Sequence, residues 1–418
     1  MSERMNVFDV LKERGFVYQS TDENEIRHML DTERVTGYIG YDPTADSLHA
    51  GNLVTIMMLA HLQRGGHRPI AIVGGGTAMV GDPSGRSELR QMLTKEQIAS
   101  NLVGIRAQLA QFVRFDESET GAMLIDNAEW LEKLHYIEFL RDIGRHFAVN
   151  QMIKAKGYAD RLEREQGLSF IEFNYQILQA YDYLVLHQKY GCRLQMGGAD
   201  QWGNIVAGCD LVRRVAGASS HAITVELITT SAGEKMGKTA AGAVWLSAER
   251  TPVYDFYQYW RNVDDRDIGR FMAIFTFREM DEVRELGRIE GKSVDEINAA
   301  KEELAFSVTT LVHGEEAAQH ARESARAMFG AGGDLSNAPT TSIARDRVEA
   351  GASIVDLLVE TGMLPSKKEA RRKIDEKGVH LNDELVADHR RTLALADFDA
   401  GHAILRVGKK SRHRLLVE

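Results

Sequence analysis

The sequence predicts an α/β fold built on a parallel sheet, followed by a helical segment and a small α+β tail. Three observations predict it. Short apolar runs alternate with amphipathic stretches between residues 35 and 228. Near Ser247 the pattern turns helical and charged, with little strand signal. A stretch rich in Gly, Ala, Ser, Thr and Asp (330–352) then precedes a compact tail.

The elements follow in order. Residues 35–41 (VTGYIGY) read as a strand, and 48–64 place apolar residues three and four apart, the spacing of a helix. Residues 68–74 (RPIAIVG) read as a buried strand that breaks into Gly74-Gly75-Gly76. A helix is expected over 175–190, a short strand over 193–197, a helix over 202–215 and a strand over 223–228. Strands separated by helices call for parallel crossovers that cover both faces of a sheet. Such sheets bind ligands beyond the carboxyl ends of their strands. The expected division is 1–246 for the sheet domain, 247–330 for the helical domain, 331–352 for a linker and 353–418 for the tail.

Composition excludes several classes. With 44% hydrophobic and 27% charged residues in 418, the chain is globular rather than largely disordered. A net charge of −10 argues, on the whole-chain average, against a basic nucleic-acid binder. Two cysteines, Cys192 and Cys209, make no disulfide scaffold, and no Cys/His cluster has zinc spacing. The charged N-terminus has no apolar signal core, and no run approaches the ~18 apolar residues of a membrane span. A cytoplasmic location with no metal site is expected.

Two segments carry chemistry. In 38–52 a strand ends in turn-forming residues and a helix begins near His49 and Gly51. A helix N-terminus offers free N–H groups and a positive dipole end, which suits a phosphate. His49 adds a donor, and Gly51 is expected to leave room for a flat ring near the backbone. Standing alone, the segment reads equally as a structural turn. In 231–239, Gly237-Lys238-Thr239 suggests a phosphate loop, but only three residues separate Gly233 from Gly237 where the Walker motif needs four. What remains is two lysines three apart, on a loop that can fold over a polyphosphate or lie exposed in solvent.

Together the two segments resemble the paired signatures of class I aminoacyl-tRNA synthetases, and the chain is most similar to the bacterial-type tyrosyl family among them. The matching stretches are 40–49, 80–86, 175–182, 198–204 and 235–239, in the family's order and over essentially the whole chain. The resemblance implies a Rossmann-like catalytic domain, an α-helical anticodon-side domain and a small α+β RNA-binding domain of ribosomal-protein type. It implies a homodimer, with Phe170 on the dimer face, although a core Phe would look the same in sequence.

A further pattern stands beside the resemblance. Tyr175, Gln179 and Asp182 lie at i, i+4 and i+7 of a predicted helix, within about 60° of one face at roughly 100° per residue. Three polar groups on one face of a largely apolar helix are costly to bury unpaired. A ligand with an amine and a hydroxyl would pair them; a solvent-facing stripe is the alternative.

Roles follow from the resemblance. Tyr38 and Asp182 match the pair that binds the substrate phenol. Asp82, Tyr175 and Gln179 match the groups around the α-ammonium, and Gln201 matches a residue near the carbonyl. Gly40, Asp42, Gly51, Asn52 and Asp200 match the nucleotide site. His49, Thr44, Arg86, Lys235, Lys238 and Thr239 match groups that meet the ATP phosphates. The implied substrates are L-tyrosine, ATP with Mg2+ as its counter-ion, and tRNA(Tyr). Asn52 stands where many members have a second His, and Gly237 where the loop often carries Ser.

The tail carries Lys367, Lys368, Arg371, Arg372 and Lys373 within seven positions. Such a run can neutralise phosphates or be a solvated face. Its fusion to a synthetase-like domain favours RNA, and Lys409-Lys410 adds an expected basic hairpin tip. Residues 366–418 hold thirteen Lys and Arg against nine Asp and Glu, so a basic tail hides inside an acidic average. A tryptophanyl-type synthetase, another adenylyltransferase and an inactive synthetase-derived RNA-binding protein remain rival readings.

Overall fold

The computed structural model describes residues 5–80, 94–163, 168–231, 233, 236–239, 242–329, 340–382, 384–398, 401–408 and 411–417. The chain divides into two units, Met1–Ala318 and Gln319–Glu418.

The first unit is built on a six-stranded sheet of β1 (Gln19–Ser20), β2 (Thr36–Tyr41), β3 (Arg68–Val73), β4 (Met123–Asp126), β5 (Cys192–Gly198) and β6 (His221–Val225). The order is β1-β6-β5-β2-β3-β4. Strands β2 to β6 are mutually parallel, and their order reverses between β2 and β5. That reversal is the switch point at which a doubly wound sheet opens a crevice for ligands. The sheet is not purely parallel, because the two-residue β1 pairs antiparallel with β6. Neither β1 nor β4 stands out in the sequence, since runs of two and four residues have no measurable period. Strand β6 starts two residues before the expected 223 and ends three before 228.

Helix ends explain the other shifts. The Leu53–Arg64 helix follows a 3-10 turn at Ala50–Asn52, so regular helix begins later than Leu48. It is buried on nearly all sides, which weakens its amphipathic signal. The Phe170–Tyr190 helix starts five residues before the expected 175. Ser169 and Glu172 form a capping box there, the Ser169 N–H donating to Glu172 Oε2 at 3.0 Å, and Gly191 in the left-handed conformation ends the helix.

The helical segment contains Val253–Arg261, Ile268–Phe275, Met280–Gly287 and Val294–His313. Its core is aromatic: Trp260 meets Phe275 at 4.8 Å and Phe256 meets His313 at 4.9 Å, both edge-on. The buried Arg14 donates to the Ala273 and Thr276 carbonyls at 3.0 and 2.9 Å, where that helix ends. A two-stranded ribbon, β7 (Lys238–Thr239) with β8 (Gly242–Ala243), lies between sheet and helices in the chain.

The second unit holds a five-stranded sheet of β9 (Thr340–Ile343), β10 (Val379–Leu381), β11 (Glu384–Leu385), β12 (His402–Val407) and β13 (Ser411–Val417). Its order is β11-β10-β12-β13-β9, with β9 parallel to β13. The helices are Arg345–Glu349, Ile354–Glu360 and Lys367–Asp375. Residues 340–352, expected as linker, are instead part of this unit, because Ile343, Val348 and Ala352 join its core with Leu357, Ile374 and Leu415. Their small polar neighbours mask three well-spaced apolar positions. Residues 331–339 of the expected linker lie outside the described residues, as do Lys409 and Lys410 of the expected hairpin tip.

Candidate active site

The expected residues gather at the carboxyl ends of the parallel strands. Tyr38 and Gly40 lie in β2 and Asp42 follows it; Asp126 ends β4; Asp200 follows β5 in the 3-10 turn Ala199–Gln201. Gly40, Thr44 and Asp200 are exposed, whereas Tyr38 is only 1% exposed. The Tyr38 ring packs edge-on against Tyr183 at 5.2 Å, and its hydroxyl is buried with no hydrogen-bond partner among the described residues. An orphaned buried hydroxyl is costly and favours a ligand that pairs it. Burial, then the nearby Asp182 charge, pushes this phenol well above its ordinary pKa, so it stays a neutral donor.

The polar face of the Phe170–Tyr190 helix is real. Tyr175 and Asp182 are buried and Gln179 is half-buried, so it is not a solvent stripe. Two residues that sequence reasoning missed hold Asp182. Asn127 Nδ2 donates to its Oδ2 at 2.9 Å and Trp130 Nε1 to its Oδ1 at 2.7 Å. Asn127 is itself fixed, since its Oδ1 accepts from the Gly76 N–H at 2.8 Å and its Nδ2 also reaches Thr77 Oγ1 at 3.1 Å. Burial pushes the Asp182 carboxyl up to about 7; the two donors pull it down, and Asp126 adds a smaller rise.

A third missed residue joins the other polar groups. The buried Asn204 donates to Gln179 Oε1 at 3.0 Å and to Gln201 Oε1 at 3.2 Å. One amide thus sets the rotamers of two candidate ligands. An amide oxygen has two lone pairs, so each glutamine keeps acceptor capacity for a substrate. Asn204 sits within a quoted motif, but its role depends on a contact across 25 residues.

The two signature segments meet in space. The Ala50 N–H donates to the Val244 carbonyl at 2.8 Å, and the Val244 N–H donates to the Gly237 carbonyl at 3.0 Å. His49 forms an isolated antiparallel bridge with Trp245. The Asn52 carboxamide oxygen accepts from the His49 N–H at 3.0 Å, closing the turn. The room expected beside Gly51 is taken: a Cβ there would lie 2.9 Å from His49 Cε1 and 3.1 Å from the Met236 carbonyl. Gly51 therefore serves close packing of the two segments rather than leaving space for a ring. Gly237 is its counterpart, with φ +79° and a Cβ site 2.5 Å from the Gly51 nitrogen. Asp82, Arg86 and Lys235 lie outside the described residues, and Lys238 and Thr239 are described as the backbone of β7.

Similarity to known proteins agrees with this geometry. Residues 30–330 match a family model described as tRNA synthetases class I (W and Y), and 334–415 match the tyrosine–tRNA ligase SYY-like C-terminal domain. A tyrosine–tRNA ligase of Clostridium tetani is 52% identical over 99% of both chains. The chain belongs to the tyrosine–tRNA ligase family. Another member, from Acetivibrio thermocellus, is 49% identical over 98% of this chain and 99% of its own. Among solved structures, a C-terminally truncated mitochondrial tyrosyl-tRNA synthetase of Aspergillus nidulans is similar at a TM-score of 0.70. It is 28% identical, over 78% of this chain and 95% of that one. A tryptophanyl-tRNA synthetase from Encephalitozoon cuniculi shares the fold at a TM-score of 0.54 and 14% identity.

In the second unit the five basic residues lie on the Lys367–Asp375 helix. Three are ion-paired: Lys367 with Asp356, Arg372 with Glu369 and Glu376, and Lys373 with Glu376. Lys368 and Arg371 are exposed and make no ion pair among the described residues.

Proposed function

We propose that this chain activates L-tyrosine with ATP and transfers the tyrosyl group to the 3′ end of tRNA(Tyr). The observation that carries the reading is the buried, unpartnered Tyr38 hydroxyl beside the buried Asp182 carboxyl, at the switch point of the sheet. The substrate phenol donates to Asp182 and accepts from Tyr38. Phenylalanine would leave the buried Tyr38 hydroxyl unpaired and bring Asp182 no donor beyond Asn127 and Trp130, a form of discrimination for which tyrosyl-tRNA synthetases are themselves the standard example.

Asp82, Tyr175 and Gln179 receive the α-ammonium, and Gln201 lies by the carboxylate. That carboxylate attacks the α-phosphorus of ATP in line, the bond to pyrophosphate breaks, and tyrosyl-adenylate forms. A terminal ribose hydroxyl of the tRNA then attacks the tyrosyl carbonyl and AMP leaves. The first nucleophile is already an anion at neutral pH, so no general base is required. Catalysis rests on positioning and on charge stabilisation at the phosphates. Thr44, His49, Arg86, Lys235, Lys238 and Thr239 supply the latter; Gly40, Asp42, Asn52 and Asp200 form the nucleotide site. Magnesium enters on ATP; among the described residues no group of three or more His, Cys, Asp or Glu side chains is arranged to hold an ion.

The working parts are a catalytic domain (1–246), a helical anticodon-side domain (247–330) and a C-terminal RNA-binding domain that begins by Thr340. A homodimer is supported by the exposed apolar side chains of Phe170 (67%), Ile171, Ile137 and Val149. No helix among the described residues is long and apolar enough to cross a membrane, and the reading places the enzyme in the cytoplasm. ATP–pyrophosphate exchange measured with each of the twenty amino acids tests the reading. Exchange with tyrosine alone is expected; exchange with tryptophan instead would overturn it.

A further inference from the structure

The segment that joins β6 to the β7–β8 ribbon is held from the helical segment at both ends. At its start, the Ser231 N–H and hydroxyl donate to the two oxygens of Asp267, each at 2.8 Å. Asp267 is 3% exposed and stands at the N-terminal end of the Ile268–Phe275 helix, and Arg270, one turn on, donates to the Thr229 carbonyl. At its end, the Gly237 N–H donates to the Tyr259 hydroxyl at 2.9 Å, and that hydroxyl points its own proton at Met236 Sδ, 3.1 Å away.

The anchors belong to packed helices. Tyr259 lies on the Val253–Arg261 helix and packs edge-on at 5.4 Å against the fully buried Trp260. Gly237 takes a left-handed conformation, so its direction depends on what holds it. The two residues that Tyr259 holds, Met236 and Gly237, are flanked in the chain by Lys235 and Lys238.

We propose that Tyr259 and Asp267 are positioning residues through which the helical segment fixes Ser231, Met236 and Gly237 of the loop, and so sets the rate of tyrosine activation. The inference rests on the reading that this loop meets ATP. Neither residue needs to touch a substrate. A shift of the helices that loosened either hold would move Met236 and Gly237 relative to Ala50 and Gly51, so contacts made on those helices gain a physical route to the chemical step.

The test uses the full chain with Tyr259→Phe and Ser231→Ala, each of which deletes one hydroxyl and leaves the helices' own residues otherwise unchanged. Single-turnover adenylate formation at saturating tyrosine and ATP is expected to fall about 5- to 10-fold in each, the loss of one or two hydrogen bonds. Tyrosine Kd should stay within about twofold, and the melting temperature should fall by no more than about 2–4 °C. Amide hydrogen exchange in peptides containing Gly237 should accelerate in Tyr259→Phe, a readout independent of activity. Wild-type activation rates in both variants, or protection at Gly237 unchanged, would overturn the inference. A wild-type chain with no tyrosine-dependent exchange would instead overturn the proposed function, while the hydrogen exchange would still decide whether Tyr259 holds the loop.

Discussion

If the substrate phenol donates to Asp182, as proposed, tyrosine affinity depends on pH near neutrality. Burial holds it at about 7 despite donation from Asn127 and Trp130. A phenol that donates to Asp182 needs the carboxylate, so binding competes with the proton. With a pKa of about 7, the ionised fraction is about 0.9 at pH 8 and about 0.1 at pH 6. Tyrosine Kd should therefore rise about tenfold between pH 8 and pH 6, or ~1.4 kcal/mol. Equilibrium dialysis without ATP reads the affinity, and calorimetry in two buffers of different ionisation enthalpy reads the proton released. Trp130→Phe removes a donor to the carboxylate, so its midpoint should move upward. A Kd constant within twofold over this range, or proton uptake on binding, would refute the assignment of the phenol to Asp182. The sign for stability is the reverse of a salt-bridged carboxylate. The native state holds this proton up to about pH 7, whereas the unfolded chain releases it near the ordinary aspartate value of 3.8. The stability contributed by this group is therefore full below that value and is lost as pH rises through 7.

Lys238→Ala should lower the rate of adenylate formation in stopped-flow measurements while leaving tyrosine Kd nearly unchanged. Asn204→Ala removes one hydrogen bond from each of Gln179 and Gln201, and the tyrosine KM in pyrophosphate exchange should rise about 5- to 30-fold with the ATP KM unaltered. Ending the chain after Phe329, so that the second unit's sheet is removed whole rather than split at 353, should weaken tRNA charging far more than tyrosine activation. Equal losses in a folded truncation would contradict the assignment of RNA binding to the tail. In filter binding, Lys368→Ala and Arg371→Ala should each weaken tRNA more than Arg372→Ala or Lys373→Ala.

The residues legible in the sequence were those whose chemistry is local. Strand β2 runs into a turn and then a helix, and three polar side chains recur on one helical face; both are statements about nearby positions. Asn127, Trp130 and Asn204 were not legible for the opposite reason. Asn127 and Trp130 follow a four-residue strand with no period, and they matter only because they reach Asp182 across 55 and 52 residues. Gly51 shows the same limit from another side. Its lack of a side chain was visible, but the space is filled by the folded-back His49 ring and by the Met236 carbonyl, far along the chain. In 340–352 the composition of a linker concealed a strand that completes a sheet edge by parallel pairing, a partner that only the fold supplies.

On the proposed RNA-binding role of the tail, the ion pairs on the Lys367–Asp375 helix divide its basic residues into two groups. The tail's excess of four positive charges sits on a chain whose remainder carries −14, so the attraction must be local to work at all. Exposed pairs such as Arg372 with Glu369 are worth ~0–1 kcal/mol, so a phosphate can displace the carboxylate. The displaced carboxylate stays within reach, however, and repels the incoming phosphate, which offsets much of the gain. Lys368 and Arg371 carry no such opponent among the described residues. Each should release about one counterion on binding, so removing either should flatten the salt dependence of tRNA affinity by a slope of ~0.7–0.9. Removing Arg372 or Lys373 should flatten it less, because their charge is already partly neutralised in the free protein. Equal slopes for all four variants would mean that the helix presents an undivided positive face and that the carboxylates swing clear on binding.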